Sequence, residues 1–245
     1  MGQQIDDASA PHIRVSGEDE IQATLHDAGL GRGRVVVVLV GGASGMNQKD
    51  LDRLAGVLQE AVIPILNRYD AVVVDGGTDV GVMRLIGQTR AAADGRFPLV
   101  GVAAEGTVVV PGDGPAAADA AALEPNHTLF LLVPGTKWGD EALWITQVAE
   151  VIAGSQPSVT LLVNGGQIAY TDVTNSLNSG RPVVVLAGSG RTADAIAEAR
   201  AGHGSDPRAI EIATSPLITI ADIGHAGAVA AAIDAVLANP KQRSP

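Results

Sequence analysis

Seven short apolar runs dominate this chain, and four of them stop directly at a glycine-rich loop. They span Arg34–Val40, Ala71–Val74, Leu99–Ala103, Thr128–Val133, Val159–Val163, Pro182–Ala187 and Leu217–Ile220. β-Branched runs this short, without polar alternation and bounded by Gly, Pro, Asp or Asn, are the mark of strands buried on both faces. Between them lie segments of helical periodicity, such as Leu51, Leu54, Val57, Leu58, Ala61 and Ile65, and later Ala193, Ile196, Ala197 and Arg200. Strand and helix repeated in turn predict an α/β fold, a Rossmann-like open and mostly parallel sheet of about seven strands with helices on both faces.

Composition agrees with that architecture. Aromatic residues make up only 2% of the 245, so Val, Ile, Leu and Ala must fill the core. The first 16 residues read as a flexible tail, 17–239 as one nucleotide-binding domain, and 240–245 as a frayed end. From Gly17 a short helix carries Ile21, Leu25 and Ala28 on one face, and GLGRG ends it. The interval Glu105–Asn126, rich in Pro, Gly and Ala, reads as a long loop with one short edge strand at Thr107–Val110.

Charge and motifs narrow the function classes. Sixteen basic against 27 acidic residues leave a net charge of −11, which opposes docking on a nucleic-acid polymer or an anionic membrane. The absence of cysteine removes disulfides, thiolate metal sites and thiol nucleophiles. Histidines stand at 12, 26, 127, 203 and 225 without ligand spacing, so no metal is expected. The N-terminal segment lacks a signal-peptide pattern, and no apolar run reaches the roughly 18 to 20 residues needed to cross a bilayer, so direct membrane insertion is not expected and a cytoplasmic location is.

Ligands of open parallel sheets bind beyond the carboxyl ends of the strands. Here those ends read VGGASG, VDGGTDVGVM, VNGGQ and LAGSGR. Glycine lets a ligand approach main-chain N–H groups, and a helix starting next favours phosphate. The candidate ligand-binding residues in these loops are Gly41, Gly42, Gly76, Gly77, Thr78, Asp79, Gly165, Gly188, Ser189, Gly190 and Arg191. Neither G-x-G-x-x-G nor GxxxxGK[ST] is present, which disfavours a hydride-transferring dehydrogenase and a P-loop NTPase. Arg191 is electrostatically out of place at a helix start unless an anion sits beside it; the alternative is a pairing with Asp194 three residues on. Thr78 and Asp79 read either as helix caps or as partners for ribose hydroxyls.

The segment NHTLFLLVPGTKWGDEALW adds Lys137, Trp138 and Glu141 as candidate ligand contacts, with Trp138 placed to stack on a base. Asp140 and Glu141 are the candidate acid/base residues, or else a favourably charged helix start. His127 precedes a strand, which assigns it a structural hydrogen-bonding role at the amino edge, away from the ligand.

Taken in order, GGTDVGVMRLIG, PLVGVA, NHTLFLLV, WGDE, LLVNGG and PVVVLAGSGRTAD resemble the SLOG superfamily, most closely the branch found in the N-terminal region of TRPM channels and in free-standing prokaryotic relatives. The resemblance runs from about Val35 to the last helix. It implies a ligand sensor in signalling, binding ADP-ribose, cyclic ADP-ribose or an NAD-related molecule and needing no other cofactor. By motif, Gly76, Gly77, Thr78 and Gly188 to Arg191 would bind ligand, flanked by Lys137 to Glu141. It also implies a homo-oligomer or a membrane effector as partner. Phosphoribohydrolases in the superfamily carry PGGxGTxxE; here DGGTDVGVM puts Asp75 in place of Pro and lacks the Glu. That departure weighs against their activity and leaves a nucleotide-processing N-glycosidase as the alternative.

Overall fold

Val36, Val38 and Val40 turn to one side of the sheet and Val37 and Leu39 to the other, and the same alternation repeats along every central strand. Both sides are therefore apolar and both need cover. The computed structural model describes residues 10–42, 46–114 and 116–239. Its main sheet is eight-stranded and wholly parallel, built from β1 (His12–Arg14), β2 (Val36–Gly41), β3 (Val72–Asp75), β4 (Leu99–Ala104), β7 (Leu129–Val133), β8 (Ser158–Val163), β9 (Val183–Ala187) and β10 (Ile218–Asp222). A separate parallel ribbon pairs β5 (Val108–Val109) with β6 (Ala121–Ala122).

In space the strands run β1-β7-β4-β3-β2-β8-β9-β10. The chain thus starts its central sheet at β2, builds outward through β3, β4 and β7, and crosses back to β8 on the other side of β2. The crevice between the carboxyl ends of β2 and β8 is the switch point at which such sheets bind ligands.

Helices α1 (Glu18–Asp27), α5 (Ala142–Ala153), α6 (Gln167–Asn178), α7 (Arg191–Arg200) and α8 (Pro207–Ala213) supply the core on the first face. Helices α2 (Gln48–Val57), α3 (Ile63–Arg68), α4 (Gly81–Ala92) and α9 (Ala226–Leu237) cover the second. The periodicity read over Leu51–Ile65 is interrupted by a π-helical turn at Leu58–Val62, where Pro64 withholds a backbone N–H from the regular ladder. None of the described helices is long and apolar enough to cross a membrane.

Two expectations need correction. Residues 12–14 are not tail: they form β1, in register with Phe130–Leu132, and Val15 beside them is buried and donates its N–H to Leu132 O at 2.9 Å. A three-residue strand is too short to show any periodicity. The expected edge strand at Thr107–Val110 is instead the ribbon strand β5, which pairs with β6 and leaves the main sheet untouched. Residues 1–9 and 240–245, together with Ala43, Ser44 and Gly45 of the first glycine loop, lie outside the described residues.

Candidate functional site

At the switch point the backbones of β2 and β8 close on each other. A Cβ at Gly41 would stand 1.8 Å from Val163 O, and Gly41 holds φ +127°, so no other residue fits. Gly42 N–H then donates to Val163 O at 3.1 Å. Above this junction lies a cavity of about 180 Å³. Its walls come from the ends of β2 and β3 (Gly41, Gly76, Thr78), from the approach to α5 (Trp138, Glu141) and from the first turns of α6 (Gly166, Gln167, Asp172). A wider cleft of about 760 Å³ opens from it past Gly41 and Met83, between α2 and α4.

Two carboxyl groups face this mostly apolar cavity. Glu141 Oε2 accepts the Gly139 N–H at 2.9 Å, yet burial outweighs that bond and pushes its pKa up. Asp172 is pushed up to about 7, by burial first and then by the charge of Glu141. Thr78 is 2% exposed, and its Oγ1 has no hydrogen-bond partner among the described residues.

The loop carrying Thr78 is held by a buried ionic cluster. His127 Nε2 lies 2.9 Å from Asp75 Oδ1, and Nδ1 lies 2.8 Å from Glu124 Oε2. All three side chains are essentially inaccessible. Carboxylates only accept, so both ring nitrogens donate and the ring is an imidazolium. Burial opposes that charge, but Asp75 and Glu124 overcome it and raise the pKa to about 9. Asp75 Oδ1 also accepts the Gly77 N–H at 2.7 Å. Glu124 N–H donates to Gly77 O and Asp79 N–H to Ala122 O, so the β6 segment clamps the Gly76–Asp79 loop from outside. His127 therefore acts at the carboxyl end of β3, contrary to its expected place at the amino edge. The cause is stagger: Asp75 pairs with Gly101, and Gly101 with Phe130, only three residues after His127.

On the opposite flank, the β8 and β9 loops interlock. Asn164 N–H donates to Ser189 Oγ at 2.7 Å, and Asn164 Nδ2 to Ser189 O at 2.8 Å. This places Arg191, at φ +50°, at the start of α7. A Cβ at Gly166 would stand 3.4 Å from Arg191 Nη2, so the guanidinium lies over the first turn of α6. Asp194 does not pair with it; Asp194 Oδ1 accepts the Gly188 N–H at 2.6 Å. Among the described residues no carboxylate forms a salt bridge with Arg191.

The family model described as SLOG in TRPM, prokaryote, matches residues 34–232. The chain belongs to that SLOG family. Among curated proteins it is 27% identical over 205 residues to the mouse transient receptor potential cation channel subfamily M member 2, covering 69% of this chain and 14% of the channel. The member-like 2 protein of Nematostella vectensis is 28% identical over 228 residues, or 76% of this chain and 15% of the relative. The SLOG chain thus spans about one-seventh of these relatives. Among solved structures, the X-ray structure of TM1055 superposes with a TM-score of 0.53 at 18% identity, covering 83% of this chain and 99% of that one. The two share the fold.

Within the SLOG domain the candidates read from sequence divide sharply. Gly41, Gly76, Thr78, Trp138 and Glu141 meet in the cavity, Gly42 lines the adjoining cleft, and Arg191 stands over Gly166, itself one of the cavity-lining residues. The others are used elsewhere. Ser189 is buried, its hydroxyl donating to Leu186 O while accepting from Asn164. Asp79 pairs with Arg84 at 2.7 Å. Asp140 Oδ2 caps the N–H groups of Thr136 and Lys137, which holds its pKa low. The side chain of Lys137 is exposed and is not part of the cavity wall. Gly77, Gly165, Gly188 and Gly190 serve close backbone packing, against Gly101, Ala169, Ile223 and Asn164 respectively. Sequence reasoning missed Asp172. Its signal was available: it is the single charged residue in Gln167–Asn178.

Proposed function

We propose that this chain is a ligand-binding sensor for a phosphate-bearing nucleotide derivative of the ADP-ribose or NAD type, held across the switch point. Membership of the SLOG family supports nucleotide-related binding or processing. One observation carries the reading further: Arg191, with no carboxylate partner among the described residues, lies over Gly166 at the start of α6. A guanidinium and a helix start make a phosphate site together, because main-chain N–H groups and the helix dipole add to the cation. The cavity of about 180 Å³ is smaller than the roughly 300–1,000 Å³ of whole-ligand pockets. It suits one ring or sugar, with the rest of the ligand lying outside it.

Calorimetric titration with ADP-ribose, cyclic ADP-ribose, NAD and AMP tests the reading. Saturable binding of at least one, weakened about 10- to 100-fold by Arg191→Ala, is the expected result. No heat with any of the four overturns it. Output would pass through self-association or a membrane effector.

A second reading, cleavage of an N-glycosidic bond, is favoured by one observation: the raised pKa of Glu141 at the cavity, the condition of a group able to deliver a proton. Release of free base from NAD or nucleoside monophosphates above the buffer rate would establish it. Release equal to the buffer rate removes it.

A further inference from the structure

The cavity gathers two carboxyl groups without a basic partner among the described residues of its wall. Among the described residues its wall holds Glu141 and Asp172 and no Lys, Arg or His. Glu141 accepts one backbone N–H, and the Asp172 carboxyl accepts no hydrogen bond from any described residue. Two carboxylates against apolar walls are poorly tolerated unless a cation joins them. Trp138 stands in the same wall, and an indole face attracts a cation at close range. Thr78, buried and with its Oγ1 unpartnered among the described residues, adds a hydrogen-bonding group for a polar ring substituent.

We propose that this cavity takes a positively charged heterocycle, of the N-ribosylated pyridinium class with a polar substituent, in preference to its neutral counterpart. The proposal deepens the nucleotide reading and rests on it: the phosphate end of the ligand is held at Arg191 and the cationic ring at Glu141 and Asp172. A sugar hydroxyl alone could satisfy one carboxylate by donating to it, but it brings no charge to offset the second.

The preference depends on pH, because Asp172 carries its charge only above about 7. Of the elements packed on α6, α5 brings Glu141 and, further along, Glu150. The first turn of α7 brings Arg191 over Gly166, and the rest of α7 carries Asp194, Glu198 and Arg200. The α8 segment brings Asp206, Arg208 over the Tyr170 ring, and Glu211, while β2, β8 and β9 carry no charged residue. Among these, the charge that acts on Asp172 is that of Glu141.

The test uses the full chain with NAD⁺, NADH and ADP-ribose, titrated calorimetrically at pH 6 and pH 8.5. NAD⁺ and NADH share their phosphates and sugars and differ in the charge of the ring. At pH 8.5 NAD⁺ should bind about 10-fold tighter than NADH, the size of one desolvated cation contact. The ratio should shrink at pH 6 and fall to within about 2-fold in Asp172→Asn at pH 8.5. Equal affinities at pH 8.5, or a preference that survives Asp172→Asn unchanged, overturns the proposal while leaving the nucleotide reading intact if ADP-ribose binds. Failure of all three ligands to bind overturns both. If Asp172→Asn loses its cooperative thermal transition, Glu141→Gln and the wild-type pH series decide the matter by the same ratio.

Discussion

His127 Nε2 sits 2.9 Å from Asp75 Oδ1, across 52 positions of sequence, and this contact fixes the loop on which Thr78 rides. Its protonation governs how stability changes with pH. The imidazole pKa is raised from 6.5 to about 9, so the folded state holds a proton that the unfolded chain gives up. The stability gained from the cluster is complete below about pH 6.5 and is lost as pH rises through about 9. Urea unfolding should therefore show a decline on the order of 3 kcal/mol across that window, and a flat profile would contradict the imidazolium assignment.

Replacing the cation exposes the cost of its partners. His127→Gln leaves Asp75 and Glu124 buried without the charge that offsets them, and a stability loss of about 3–5 kcal/mol is expected. Adding Glu124→Gln to that variant should recover part of the loss, as measured by the urea midpoint.

Gly87 on α4 lies against the same cluster. A Cβ there would stand 2.1 Å from Glu124 Oε2, and that carboxylate is held by Asn126 and His127. Alanine favours helix over glycine by about 1 kcal/mol, so a surface position would gain. Here Gly87→Ala should instead destabilise by about 2–4 kcal/mol, because the collision outweighs propensity. A raised melting temperature would show that Glu124 is free to move.

Arg191 opposes stability to function. Its φ of +50° is one that glycine adopts without strain. Arg191→Gly should raise stability by about 1 kcal/mol while weakening binding of phosphate-bearing ligands about 10-fold or more. Paired thermal melts and titrations measure both, and loss of stability in the glycine variant would remove the strain argument.

Asp172 should behave as a destabilising acid. Its pKa rises from 3.8 to about 7 on folding, so the native state resists ionisation and stability falls as pH climbs between those values. Asp172→Asn should be more stable than the parent by about 1–3 kcal/mol at pH 8, and the advantage should vanish near pH 4. An advantage independent of pH would point to packing rather than charge.

The runs that became β2, β3, β4, β7, β8 and β9 were legible because burial on both faces leaves an uninterrupted apolar signature within one or two residues of the observed ends, and the half-buried edge strand β10 kept enough of that signature to be found. The strand β1 left none, since three residues carry no period. Arg191 was legible as a local electrostatic anomaly, a cation at a helix start. Ser189 and Asp140 misled for a common reason: polar residues in glycine loops cap their own backbone as readily as they meet ligands. The Asp75–Glu124–His127 cluster was hidden because it depends on strand stagger, which sequence spacing does not reveal.

The β5–β6 ribbon ties off the excursion between Val109 and Ala121 at its neck. Beyond that knot the described residues from 111 to 119 are all exposed, and lengthening a loop already closed at its base costs little. A circularly permuted fluorescent protein inserted there would sit outside the fold yet one short step, through Ala122 and Leu123, from the loop bearing Thr78. The domain thus comes with a natural attachment point for an optical reporter of whatever its cavity holds.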